Sequence, residues 1–66
     1  MSNFNSKQEV EELFNNITSC TDKLLTLLQF LILARLSNST VTELVLTMQY
    51  NAALEDLKVY IEQLKL

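Results

Sequence analysis

Few side chains in this chain could do chemistry: one thiol at Cys20, eight carboxylates, two tyrosines at Tyr50 and Tyr60, and no histidine. Without an imidazole, general acid–base work near neutral pH lacks its commonest agent. Cys20 could act as a nucleophile only beside a base, and within a helical turn only Lys23 is basic. A small core side chain is the expected role of Cys20. Glu55 and Asp56 are adjacent, so on a helix they point to different sides and do not form a carboxylate pair. Glu9, Glu11 and Glu12 read as a solvated first helical turn rather than as metal ligands. One thiol without histidine excludes a structural zinc site. No catalytic, cofactor-binding or metal-ligating set is expected, and Tyr50 and Tyr60 read as core or rim packing.

The elements that must position any function are constrained by size. At 66 residues the chain is one domain, 1–66, and a lone core of that size is marginal. Disulfides within the chain are excluded by the single cysteine. Hydrophobic residues reach 48%, well above the level of a disordered acidic chain. Glycine and proline are both absent, which argues against tight β-turns and phosphate-cradling loops. An all-α module stabilised by association is what remains.

Charge narrows the partners. The net charge is −3, and Lys7, Lys23, Arg35, Lys58 and Lys65 are scattered rather than clustered. Nucleic-acid binding draws on a basic face, so it is a weak alternative here. The polar, acidic first residues do not form a signal peptide. The longest charge-free apolar run, Leu24 to Ala34, is eleven residues, short of the roughly 20 that cross a bilayer. No membrane span and a cytoplasmic location are expected. On that location Asn16-Ile17-Thr18 and Asn38-Ser39-Thr40, which match the glycosylation pattern, carry no meaning.

Two capping boxes divide the chain. Ser6 with Glu9 starts a helix at Lys7, and Thr40 with Glu43 starts another near Val41. Residues 1–6 form a tail and cap, 7–36 helix 1, 37–40 a turn and 41–66 helix 2. The weak helix formers from Ile17 to Asp22 leave open a break near residues 18–21, which would give three helices. Helix 1 carries Val10, Leu13, Ile17, Cys20, Leu24, Leu27, Leu31 and Ala34 at heptad spacing. Helix 2 answers with Leu46, Tyr50, Ala53, Leu57, Tyr60 with Ile61, and Leu64. Folded at residues 37–39, opposed residues have numbers summing to about 77, as in Leu31 with Leu46 and Leu24 with Ala53. The expected fold is an antiparallel two-helix hairpin with a core of Leu13, Ile17, Cys20, Leu24, Leu27, Leu31, Leu46, Tyr50, Ala53, Leu57, Ile61 and Leu64. In outline it resembles small homodimeric four-helix regulators, plasmid copy-control proteins among them, and small helical subunits of larger assemblies. Outline alone carries no function.

Apolar residues are left over. On helix 2 a second stripe, with Val41, Leu44, Val45, Met48, Ala52, Val59 and Leu66, lies opposite the first, and a helix apolar on two sides is normally buried on two sides. On helix 1 the surplus sits in the second half, at Leu25, Phe30, Ile32, Leu33 and Leu36. Gln8, Glu11, Glu12, Asn15 and Ser19 are expected to keep the first half one-sided. The surplus therefore gathers at the turn end. Leu25, Phe30, Leu33, Leu36, Val41, Leu44, Val45 and Met48 are the candidate protein-interaction residues. Two hairpins joining in a four-helix bundle, with a dimer favoured by symmetry, would cover them, and so would a larger helical partner. The expected function is a non-enzymatic regulator, inhibitor or adaptor that docks this surface onto itself or another protein. The alternatives are a structural subunit completing a helical bundle in a permanent complex and, more weakly, a nucleic-acid-binding dimer.

Overall fold

Ser6 opens the first helix. Its backbone is extended, and its side-chain oxygen accepts from the Glu9 N–H at 3.2 Å, satisfying one of the amides that a helix start leaves without a partner. The computed structural model describes residues 6–64, which form α1 (Lys7–Leu36) and α2 (Thr40–Leu64). The two pack against each other as an antiparallel hairpin, 49 Å along its longest axis, with no strand among the described residues. The expected tail before Ser6 and the last two positions of helix 2 lie outside the described residues.

No break occurs near residues 18–21; α1 is continuous. The threonines there are accommodated because their hydroxyls turn back onto the helix. Thr18 donates to the Phe14 carbonyl at 3.0 Å, Thr21 to Ile17 at 2.8 Å and Thr26 to Asp22 at 3.0 Å. Side chains that compete with a helix when free leave its amide ladder intact when bonded four residues back.

The turn is a Schellman closure built without glycine. Asn38 takes the left-handed conformation, with φ of 58°, while its N–H donates to the Arg35 carbonyl at 3.2 Å. The Ser39 N–H donates to the Ala34 carbonyl at 2.9 Å, completing the motif. Helix 2 starts one residue earlier than the second capping box implies. Thr40 is already helical, and the first helical bond runs from the Glu43 N–H to the Ser39 carbonyl at 2.9 Å. Asparagine is the side-chain-bearing residue that best tolerates φ above zero, and glycine tolerates it better still. Asn38→Gly is therefore expected to be neutral to slightly stabilising. Asn38→Val should cost about 1–2 kcal/mol, read as a shift in the chemical-denaturation midpoint.

The core is thin. Leu24, Leu27 and Ala53 are buried together, with Leu46, Tyr50, Leu54 and Leu57 packed around them. Leu13, Cys20 and Ala34 extend the buried seam along α1. Ile17, Leu31 and Tyr60 are half-buried. The Cys20 thiol donates to the Ala53 carbonyl at 3.1 Å, which points along α2 towards the level of Leu57 and so fits the expected alignment. Two residues assigned to the core are not in it: Ile61 is 42% and Leu64 47% exposed. Tyr60 holds the seam position beside Ile61, and Leu54 joins the cluster from the flank.

Although the charge-free run of α1 is short, an 18-residue window averages a hydropathy of 1.4, so the helix is long and apolar enough to cross a membrane by length and composition. Of that window 22% is buried inside the hairpin.

Candidate docking surface

The turn end combines the outer sides of both helices. All eight candidate interaction residues are exposed, from 47% at Val45 to 77% at Leu36. Val41, Val45, Met48 and Ala52 follow one another at alternating steps of four and three, which on a helix makes a single stripe. That stripe lies on the side of α2 away from the buried Ala53. On α1, Phe30 and Leu33 line a shallow apolar hollow of about 360 Å³ with Ala34, Ser37, Thr42 and Leu46. The eight residues thus do not form one flat patch. They wrap the hairpin end, with the Phe30–Leu33 hollow on one broad face and the α2 stripe along the outer edge.

The Arg35 guanidinium (Nε) meets the Glu43 carboxylate (Oε2) at 3.3 Å across the turn. The arginine side chain is 82% exposed, so the pair contributes little to stability at the surface.

Seen from the seam, the hairpin's two broad faces differ in character. One is lined by Asn16, Ser19, Lys23, Asp56 and Tyr60 in its middle, and by Glu9, Glu12, Asn16 and Gln63 at the open end. It turns apolar only at the Phe30 hollow. The other face carries Leu28, Leu31, Ile32, Arg35, Glu43 and Thr47 in one groove near the turn. Towards the open end it continues with Thr21 and the apolar Phe14, Leu54 and Ile61. Phe14 is 67% exposed, Leu28 43% and Ile32 53%.

This second face was missed in the sequence, where the first half of helix 1 reads as one-sided. Phe14 overturns that reading. The signal is present in the heptads. The residues that directly follow the seam positions Leu13, Cys20, Leu27 and Ala34 are Phe14, Thr21, Leu28 and Arg35. Those that follow Leu46, Ala53 and Tyr60 are Thr47, Leu54 and Ile61. Core-facing helices of a bundle use such a flanking position in addition to the two seam positions.

No family model, curated protein or solved structure matches the chain.

Chemically the exposed surface of the turn end is mostly apolar. Cys20 is an unpaired, buried thiol held by the Ala53 carbonyl, at the floor of the polar groove. Among the described residues no three of histidine, cysteine, aspartate and glutamate gather as metal ligands would. What the arrangement can do is remove apolar area from water against another surface, at about 25 cal/mol per Å².

Proposed function

We propose that this chain is a small non-enzymatic protein–protein interaction module, a regulator, inhibitor or adaptor, that acts by docking the apolar turn end of its hairpin. The observation that supports the reading is the set of eight apolar residues between Leu25 and Met48, each about half or more exposed. Monomers seldom leave a contiguous patch of that size in water. A helix stripe with Met48 between valines and leucines suits a groove-and-helix mode of recognition, because methionine adapts to irregular partners.

The test uses Leu33→Asp and Val45→Asp. Both sites are exposed, 57% and 47%, so helicity by circular dichroism should be retained. Binding through the turn end should weaken by tenfold or more. A photo-crosslinking residue placed at Leu36 should give a discrete adduct in the parent chain that Leu33→Asp abolishes. If both variants keep the parent's adducts and its association, the docking reading is wrong.

A second reading has its own support. Only six side chains are buried among the described residues, a small core for an independent fold. A permanent subunit that completes a helical bundle would be built this way. Well-dispersed, concentration-independent spectra of the purified chain would argue against it.

A further inference from the structure

The broad face opposite the polar groove extends from the groove near the turn towards the open end. It is formed by the residues that follow the seam positions: Phe14, Thr21 and Leu28 of α1, and Thr47, Leu54 and Ile61 of α2, with Arg35 at its edge. We propose that this face is a homodimer interface, in which a second copy of the hairpin stacks face to face to make a four-helix bundle. The inference goes beyond the docking reading, since it uses a different face and leaves the outer stripe of α2 uncovered.

Four observations identify a second copy as the occupant. The first is area. The chain exposes 5256 Å², whereas a compact monomer of 7.6 kDa exposes about 4,300 Å². The surplus, taken over the whole elongated hairpin, is on the order of 1,000 Å², so the chain has area enough for one standard interface of roughly 800 Å² per partner. A like hairpin, 49 Å long and two helices wide, matches the face in both dimensions.

The second is polar satisfaction. The three polar side chains at these seven positions are already bonded within the hairpin. Thr21 donates to the Ile17 carbonyl at 2.8 Å, Thr47 to the Glu43 carbonyl at 2.8 Å, and Arg35 is paired with Glu43 at 3.3 Å. Such threonines present methyl groups outward and can be buried without an orphaned hydroxyl. The third is charge. None of the seven positions is a carboxylate, and the one acidic side chain in the groove of this face, Glu43, is paired with Arg35 at 3.3 Å, so its charge is offset within each hairpin. The fourth is asymmetry. The corresponding positions on the other flank are Asn16, Lys23, Gln49, Asp56 and Gln63, with Phe30 the large apolar exception. A hairpin apolar on one broad face and polar on the other is half of a four-helix bundle.

The experiment is sedimentation equilibrium on the full chain from micromolar to millimolar concentration, with Leu28→Glu and Ile61→Lys as variants. A dimer is expected, and each variant should weaken it by at least about a hundredfold. Leu33→Asp and Val45→Asp should leave it intact, which separates failure here from failure of the docking reading. Because a monomerised hairpin could also lose helicity, a second measurement avoids disruption. With Cys20 replaced by alanine, a spin label at Thr21→Cys is compared with one at Lys23→Cys by pulsed dipolar spectroscopy. Face-to-face stacking puts the Thr21 labels closer together than the Lys23 labels. The reverse order would overturn the proposal, as would a dimer that Leu33→Asp dissolves and Leu28→Glu does not. A chain monomeric throughout would also overturn it. If that monomer co-sedimented with phosphatidylcholine vesicles, the face would belong to a lipid surface instead.

Discussion

Leu24→Asp is expected to abolish the folded hairpin altogether, with helical circular dichroism falling to that of an unfolded chain at all accessible concentrations. Leu24 is only 8% exposed and sits in the one cluster where buried residues of both helices meet, against Leu27 and Ala53. Leu46, Tyr50, Leu54 and Leu57 close around that cluster, and none of them offers a positive charge. A carboxylate placed there loses its water without gaining a counter-ion, at a cost of several kcal/mol. A single core below about 70–80 residues rarely supplies more than about 3–5 kcal/mol in total. The cost therefore matches or exceeds the whole margin. Leu24→Met is the control, because a volume-conserving swap should cost less than about 1.5 kcal/mol and keep the helical spectrum. Retained helicity in Leu24→Asp would mean that the two helices are not held together at this seam.

Leu13→Ala is expected to give the next largest effect and to be localised. Leu13 is 3% exposed, and among the described residues it is the only large apolar side chain buried in the open half of the hairpin. Its neighbours are far less covered: Val10 is 43%, Ile61 42% and Leu64 47% exposed. Leucine-to-alanine changes in cores cost about 2–5 kcal/mol, depending on how well the site collapses. An open end with few covering side chains collapses readily, so a value near the lower limit, about 2–3 kcal/mol, is expected. Hydrogen exchange should show lost protection in the first turns of α1 and the last turns of α2, while amides near Leu27 and Ala34 stay protected. Uniform loss along both helices would show that the hairpin opens as one unit.

Much of this molecule was legible in its residues. The absence of glycine and proline, the heptads from Leu13 to Ala34 and the polar cluster at 37–39 specify two helices folded on each other, because helical periodicity is a local property of the chain. The exposed turn end followed from the same counting, since residues off the seam stay off the seam. Boundaries were less secure. The second helix starts at Thr40 because Asn38 adopts φ of 58° and shifts the cap to Ser39, a backbone choice that the Thr40–Glu43 pattern does not encode. The continuity of α1 through residues 18–21 also depended on threonine hydroxyls finding carbonyls one turn back, which propensity does not foretell.

The packing of the two helices joins the flanks of α1 and α2 into broad faces. Both Phe14 and Phe30 are off-seam aromatic residues on α1, and composition treats them alike. Packing α2 against α1 separates them. Phe30 lies at the turn end of the polar face, while the positions of Phe14, Leu28 and Ile61 share the other. Ile61 and Leu64 likewise fit the periodicity of a core residue, yet at the open end too little of α1 faces them to cover them. That these residues are apolar, and which helix carries them, is local information along the chain. Their place inside or outside depends on what lies across from them, and that is set by the crossing of two helices far apart in the chain.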